Sequence, residues 1–170
     1  MTSYIFDAIF IAIYAILYSA LEIEIEAGAG WAKNLPTVPV FGTRFTGYHV
    51  LMNITVIMSL CYALMPSKGL FYTLYFIIAW FLIEDFCWFV LNPSFGLTKY
   101  KKENISWHGD NWPGGIPIHN YIGVALMIAS AYMSGNNSLI ISGAIMATFV
   151  AITIAITPHY HTIYKEVRDK

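Results

Sequence analysis

The chain has 170 residues, of which 58% are apolar, 16% aromatic and only 11% charged, against roughly 25% charged in an ordinary soluble domain. A formal net charge of −1 offers nothing to a phosphate backbone, so no nucleic-acid partner is expected. This composition excludes a soluble globule and predicts one integral membrane domain, 1–170, whose first partner is the lipid bilayer.

Five apolar runs are predicted to span as helices, at about 4–26, 48–65, 70–91, 118–133 and 139–157. A spanning helix needs about 20 mostly apolar residues, and the fourth run is the shortest. The runs lack the alternation of roughly 10-residue barrel strands, so the fold class is an all-α transmembrane bundle. Met1-Thr-Ser carries no basic leader and no small-residue cleavage site follows, so no removable signal peptide is expected. Lys33, Arg44, Lys99, Lys101, Lys102, Lys165, Arg168 and Lys170 fall on one side of a five-span arrangement, leaving Lys68 alone on the other. Because cytoplasmic loops carry the basic excess, the N-terminus is predicted outside and the C-terminus in the cytoplasm. The outer connections, 66–69 and 135–138, are short enough to make helix hairpins. The inner ones, 27–47 and 92–117, are long, so the functional face is expected to be cytoplasmic.

In chain order, Glu22 and Glu26 are one turn apart on a face that also carries Tyr18. Two carboxylates so placed call for a cation between them, either a metal ion or a basic side chain such as Arg44. His49 opens the second helix, with Asn53 one turn later on the same face. Glu84 and Asp85 interrupt the third run, where an acid costs about 2.5–3.5 kcal/mol to insert and normally has a partner or a function. A structural ion pair is the plainer account of these acids. The segment SWHGDNWPGGIPIHNY, 106–121, brings His108 and Asp110 into the loop and His119 to the start of the fourth helix, with prolines fixing its approach. A wet loop and a helix-capping histidine are the structural alternatives there. His159 and His161 follow Pro158; if the helix stops at the proline, an extended His-Tyr-His places both rings on one side. Trp31, Trp88, Trp107 and Trp112 fit an interfacial aromatic belt. Cys61 and Cys87 lie too far apart along their hairpin for a disulfide and read as buried fillers.

Counting ~1.5 Å per helical residue, nine of the ten acids and all five histidines fall on the inner side. Glu22, Glu26, His49, Glu84, His108 and His119 are therefore candidate metal ligands, with Asp85 or Asp110 as general base or orienting carboxylate. Carboxylate and imidazole without thiolate suit a divalent transition metal, zinc, iron, manganese or copper. Helix bundles build dinuclear carboxylate sites in this way, although no His-Glu-x-x-His and no Glu-x-x-His is present. The first functional reading is a metal-dependent membrane enzyme acting on a small or membrane-associated substrate. A non-catalytic subunit or assembly factor packing against other membrane subunits is the alternative, through small-residue faces such as Gly123, Ala125 and Ala129. A transporter or proton relay is poorly served by the apolar outer half, and a haem between His49 and His119 fits the surplus of acids poorly.

Overall fold

The computed structural model describes residues 3–26, 36–40, 43–105 and 108–168, without the side chains of 38–40, 43–45 and 168. The expectations for Trp31, Lys33, Trp107 and Lys170, and for the Arg44 and Arg168 side chains, lie outside the described residues. Five helices account for most of the described chain: α1 (Ser3–Glu26), α2 (Gly47–Lys68), α3 (Leu70–Leu91), α4 (Ile118–Ser134) and α5 (Leu139–Arg168). Of these, α1, α2, α3 and α5 are long and apolar enough to cross a membrane. Helix α4 has 17 residues, or ~25 Å at 1.5 Å per residue, shorter than the ~30 Å hydrocarbon core.

Helix α3 is the axis of the bundle and packs against each of the other four helices. Trp80 and Phe76 are fully buried on it. The face of α1 that meets the core carries Ala8, Ala12, Ala15 and Ser19, all at 0% exposure. Small side chains at that spacing let two backbones approach closely, and Ser19 Oγ reaches the Glu84 carbonyl oxygen at 2.8 Å. At the opposite pole of the bundle, Tyr72 donates to Asp7 at 2.7 Å and Tyr75 donates to the Leu139 carbonyl at 2.7 Å. Large apolar side chains such as Phe6, Leu51, Met58, Ile128 and Ile140 cover the outside, as an apolar solvent requires.

One residue, Gly69 at φ 82°, joins α2 to α3, and Gly135 at φ 65° closes α4 before the turn into α5. Both tight turns lie at one pole, the turn end; the described parts of the two long connections lie at the other, the loop end. The described part of the first is a hairpin. Thr37–Val40 (β1) and Thr43–Thr46 (β2) pair antiparallel with Val40 opposite Thr43, a hairpin the apolar pattern does not announce. The second folds through single 3₁₀ turns at Leu97–Lys99, Lys102–Asn104 and Pro113–Gly115.

Helix α5 overturns the expectation of an end near Thr157. It continues through Pro158 to Arg168. A mid-helix proline forfeits one hydrogen bond and costs ~3 kcal/mol, but Tyr160 and Tyr164 pack onto the core beyond it, and His161 Nε2 meets the Leu91 carbonyl oxygen at 2.8 Å. Tertiary contacts outweigh the proline, so His159 and His161 lie on different sides of a helix rather than together on an extended strand.

Gly123 and Ser130 are the buried residues of α4, and Gly123 lies against Leu82 of α3. A Cβ there would come within 2.7 Å of Leu82 Cδ2 and 3.1 Å of its Cγ. Gly123→Ala is expected to cost ~1–3 kcal/mol by overpacking, seen as a lower unfolding midpoint in detergent. Adding Leu82→Ala is expected to recover part of the loss in a double-mutant cycle; strictly additive losses would show that the contact does not set the helix spacing.

Candidate metal centre

Glu84 and Asp85 are consecutive on α3, and successive residues of an α-helix point ~100° apart. That angle divides the candidate ligands into two groups. Asp85 faces α4 and the 92–117 loop; Glu84 faces α1.

On the Asp85 side, His108 Nε2 lies 3.3 Å from Asp85 Oδ1 and His119 Nε2 lies 3.4 Å from Asp85 Oδ2. The two imidazoles meet edge to face with centroids 4.6 Å apart. One ligand atom from each of the three residues falls within 4.8 Å of the others. His119 is delivered by the first turn of α4, one helical turn before Gly123. His108 is delivered by the loop, whose Ile105 is fully buried and accepts the His108 N–H through its carbonyl at 3.4 Å. Phe89 stands edge-on to the His108 ring at 5.1 Å and Trp112 stacks on it at 6.1 Å. The Pro-Gly-Gly turn places Gly114 at φ 62° and Gly115 at φ 81°, in the left-handed region where glycine carries no Cβ penalty. Tyr121, on the first turns of α4, donates to the Pro113 carbonyl at 3.0 Å and ties the turn back onto the helix. The His108 side chain is 9% exposed, that of Asp85 33% and that of His119 43%. The group is thus buried on one side and open on the other.

Both N···O separations exceed the ~2.7–2.9 Å of a charge-assisted hydrogen bond. They run to different oxygens, Oδ1 toward His108 and Oδ2 toward His119, so the carboxylate bridges the two imidazoles, and the three ligand atoms gather within 4.8 Å, a spacing at which one ion could be held. Two imidazoles and one carboxylate form a three-ligand set that leaves a coordination position free for water or substrate.

On the Glu84 side, His49 Nε2 sits 3.1 Å from Glu26 Oε1 and 3.9 Å from Glu22 Oε1. Tyr48 donates to Glu26. Thr46, the residue preceding α2, caps the helix at the His49 N–H and holds His49 Nδ1 at 2.8 Å, which turns Nε2 toward the acids. Glu22 is 5% exposed, and its carboxyl reaches that of Glu84 across the α1–α3 contact. Asp110 joins neither group: its side chain is 99% exposed and pairs with Lys102 at 3.3 Å.

Two residues without an obvious sequence signal border the Asp85 group. Asn120 donates to the Tyr100 hydroxyl oxygen at 3.1 Å, and the Tyr100 ring lies edge-on to Phe86 at 5.3 Å. Burial first, and then the Asp85 charge, push the Tyr100 phenol up from 10.0 to about 12. Its O–H therefore stays a hydrogen-bond donor at neutral pH. The stability that Tyr100 contributes is present below pH 10 and is lost as the pH rises through about 12. Asp85→Asn removes one of the two causes and is expected to lower the Tyr100 midpoint, read by ultraviolet phenolate titration with Tyr100→Phe as the blank. An unchanged midpoint would show that the carboxylate does not act on the phenol.

Comparison with protein-family models, curated proteins and solved structures finds no match, so the geometry alone carries the functional reading.

Proposed function

We propose that the protein is a five-span membrane enzyme whose Asp85, His108 and His119 hold a divalent transition metal at the cytoplasmic interface. The observation that carries this reading is the pair of carboxylate–imidazole separations, 3.3 Å and 3.4 Å, set on residues from three different chain segments. Four helices long and apolar enough to span, together with the basic bias of the 27–47 and 92–117 connections, support a cytoplasmic loop end and an outside N-terminus. Helix α4 completes the fifth crossing with help from the 113–117 turn at its start.

An ion held by two imidazoles and one carboxylate polarises a bound oxygen as a Lewis acid or lowers the pKa of bound water. Zinc, iron, manganese and copper all accept this donor set. The exposed flank formed by His119 and Asp85 admits a small or membrane-associated substrate. Asp85 acts here as a ligand between the two rings rather than as a free general base. His49 and His119 each address a different carboxylate, which supports a bare ion over a haem held between them.

Purified protein is expected to contain about one transition-metal ion per chain. Affinity should fall at least tenfold in Asp85→Ala, His108→Ala and His119→Ala, and stay near wild type in Asp110→Ala and Glu22→Gln. Helical circular dichroism checks that each variant folds. Folded Asp85→Ala, His108→Ala and His119→Ala variants that retain the ion, or a wild type that binds none from a metal-supplemented buffer, would overturn the assignment. An impermeant thiol reagent applied to intact cells is expected to label a cysteine introduced at Ser138 and to spare one at Lys101. The reverse pattern would invert the orientation.

A further inference from the structure

At the turn end, on the opposite pole from the Asp85 group, lies an open cavity of about 270 Å³ lined by Ser3, Tyr4, Lys68, Tyr72, Asn136 and Ser138. Its walls are the first turn of α1, the α2–α3 junction and the α4–α5 turn. Gly69 makes that junction in one residue, so Lys68 ends α2 beside the first turn of α3. Pockets for drug-sized molecules run to ~300–1,000 Å³; this one has room for a small polar group.

Three observations give the cavity its chemistry. Lys68 is partly buried, and among the described residues it pairs with no carboxylate. Its ammonium donates to the Ser3 hydroxyl oxygen and stands 5.5 Å over the Tyr72 ring, contacts that hold the charge in place without neutralising it. An ammonium has three hydrogens, so others remain for a further acceptor. Second, the Asn136 amide oxygen accepts the Ser138 N–H at 3.0 Å, which leaves the amide nitrogen and the Ser138 hydroxyl as donors at the cavity wall. Third, Asp7 accepts from Tyr72 at 2.7 Å and from Ser3 at 3.4 Å and does not line the cavity; it is held by hydroxyls rather than by Lys68. Amide and hydroxyl donors around one fixed positive charge select an oxyanion. Lys68 is also the lysine that stands alone on the side opposite the other eight basic residues, where the usual basic bias does not call for one.

We propose that this cavity binds a phosphate group, whose oxygens accept from the Lys68 ammonium, the Asn136 amide and the Ser138 hydroxyl. Lysine meets phosphate as a point charge, and hydrogen bonds from an ionised donor are about twice as strong as neutral ones. Two sources offer that group at the end of a membrane bundle: the headgroup of a phospholipid, and free phosphate in the adjoining water. The site lies at the other pole from Asp85 and is independent of whether a metal binds there.

The test is isothermal titration calorimetry of the full chain in dodecyl maltoside, a detergent without phosphate. The titrants are dioctanoyl phosphatidylglycerol, dioctanoylglycerol and inorganic phosphate. The phospholipid is expected to bind at least tenfold more tightly than dioctanoylglycerol. Lys68→Met is expected to weaken its binding at least tenfold and Ser138→Ala several-fold, while Lys101→Met, which removes a lysine at the loop end, leaves it unchanged. Ser138→Ala keeps the backbone bonds of that residue, so the test stands if Lys68→Met does not fold. Inorganic phosphate that binds as tightly as the phospholipid, and weakens in the same two variants, supports the site with free phosphate as its source. Phosphate that binds at least tenfold more weakly than the phospholipid supports it with the headgroup as its source. Equal binding of phospholipid and dioctanoylglycerol, with none of inorganic phosphate, overturns the site. Unchanged binding in folded Lys68→Met and Ser138→Ala, or an equal loss in Lys101→Met, overturns it as well.

Discussion

A carboxyl group inside an apolar bundle has to be supplied with partners, and at 84 and 85 this chain meets that demand twice, on two flanks of its most enclosed helix. Much of the loop end follows from it. For Glu84, the supply is α1, held close by its alanines and by the Ser19 hydroxyl on the Glu84 carbonyl, with Glu22 presented one turn beyond. For Asp85, it is α4 and the second long connection, each bringing one imidazole. Helix α3 is central because it has to be reachable from all sides.

The 106–121 segment shows how a short stretch dense in polar and aromatic residues can belong to an apolar fold. Its histidines reach Asp85, and its described tryptophan stacks loosely over one of them. Its glycines adopt left-handed backbone angles that other residues rarely take, and Tyr121 ties that turn to the helix it introduces. Without the turn, α4 would begin at some other depth and His119 would miss the carboxylate. Gly123 completes the placement one turn later by letting α4 lie against Leu82.

Depth was legible from residue counts and bearing around the axis was not. Counting along each helix puts Glu22, Glu26, His49, Glu84, His108 and His119 in one slab, and the structure keeps them at the same end of the bundle. The separation into an Asp85 group and a Glu84 group depends on which helix lies on which side of α3, and no local pattern encodes that. The same limit hid Tyr100 and Asn120, which are unremarkable loop and helix residues until α3 and α4 meet. Thr46 caps α2 and grips His49 Nδ1, but both depend on a hairpin with no hydrophobic alternation strong enough to announce it. Pro158 misled for a different reason: a proline is a local penalty, and the aromatic contacts that override it come from across the bundle.

The continuation of α5 past that proline changes what the C-terminal segment is mechanically. The His161 ring closes on the Leu91 carbonyl, one of the last backbone acceptors of α3, fewer than two turns from Asp85. Helix α5 is therefore a splint laid across the end of the axial helix, and it stiffens the stretch of backbone on which Asp85 is mounted. Its final turns, with Lys165 and Glu166 exposed to water, are the handle of that splint. A pull on the handle would therefore be carried through the splint to Asp85 without touching His108 or His119.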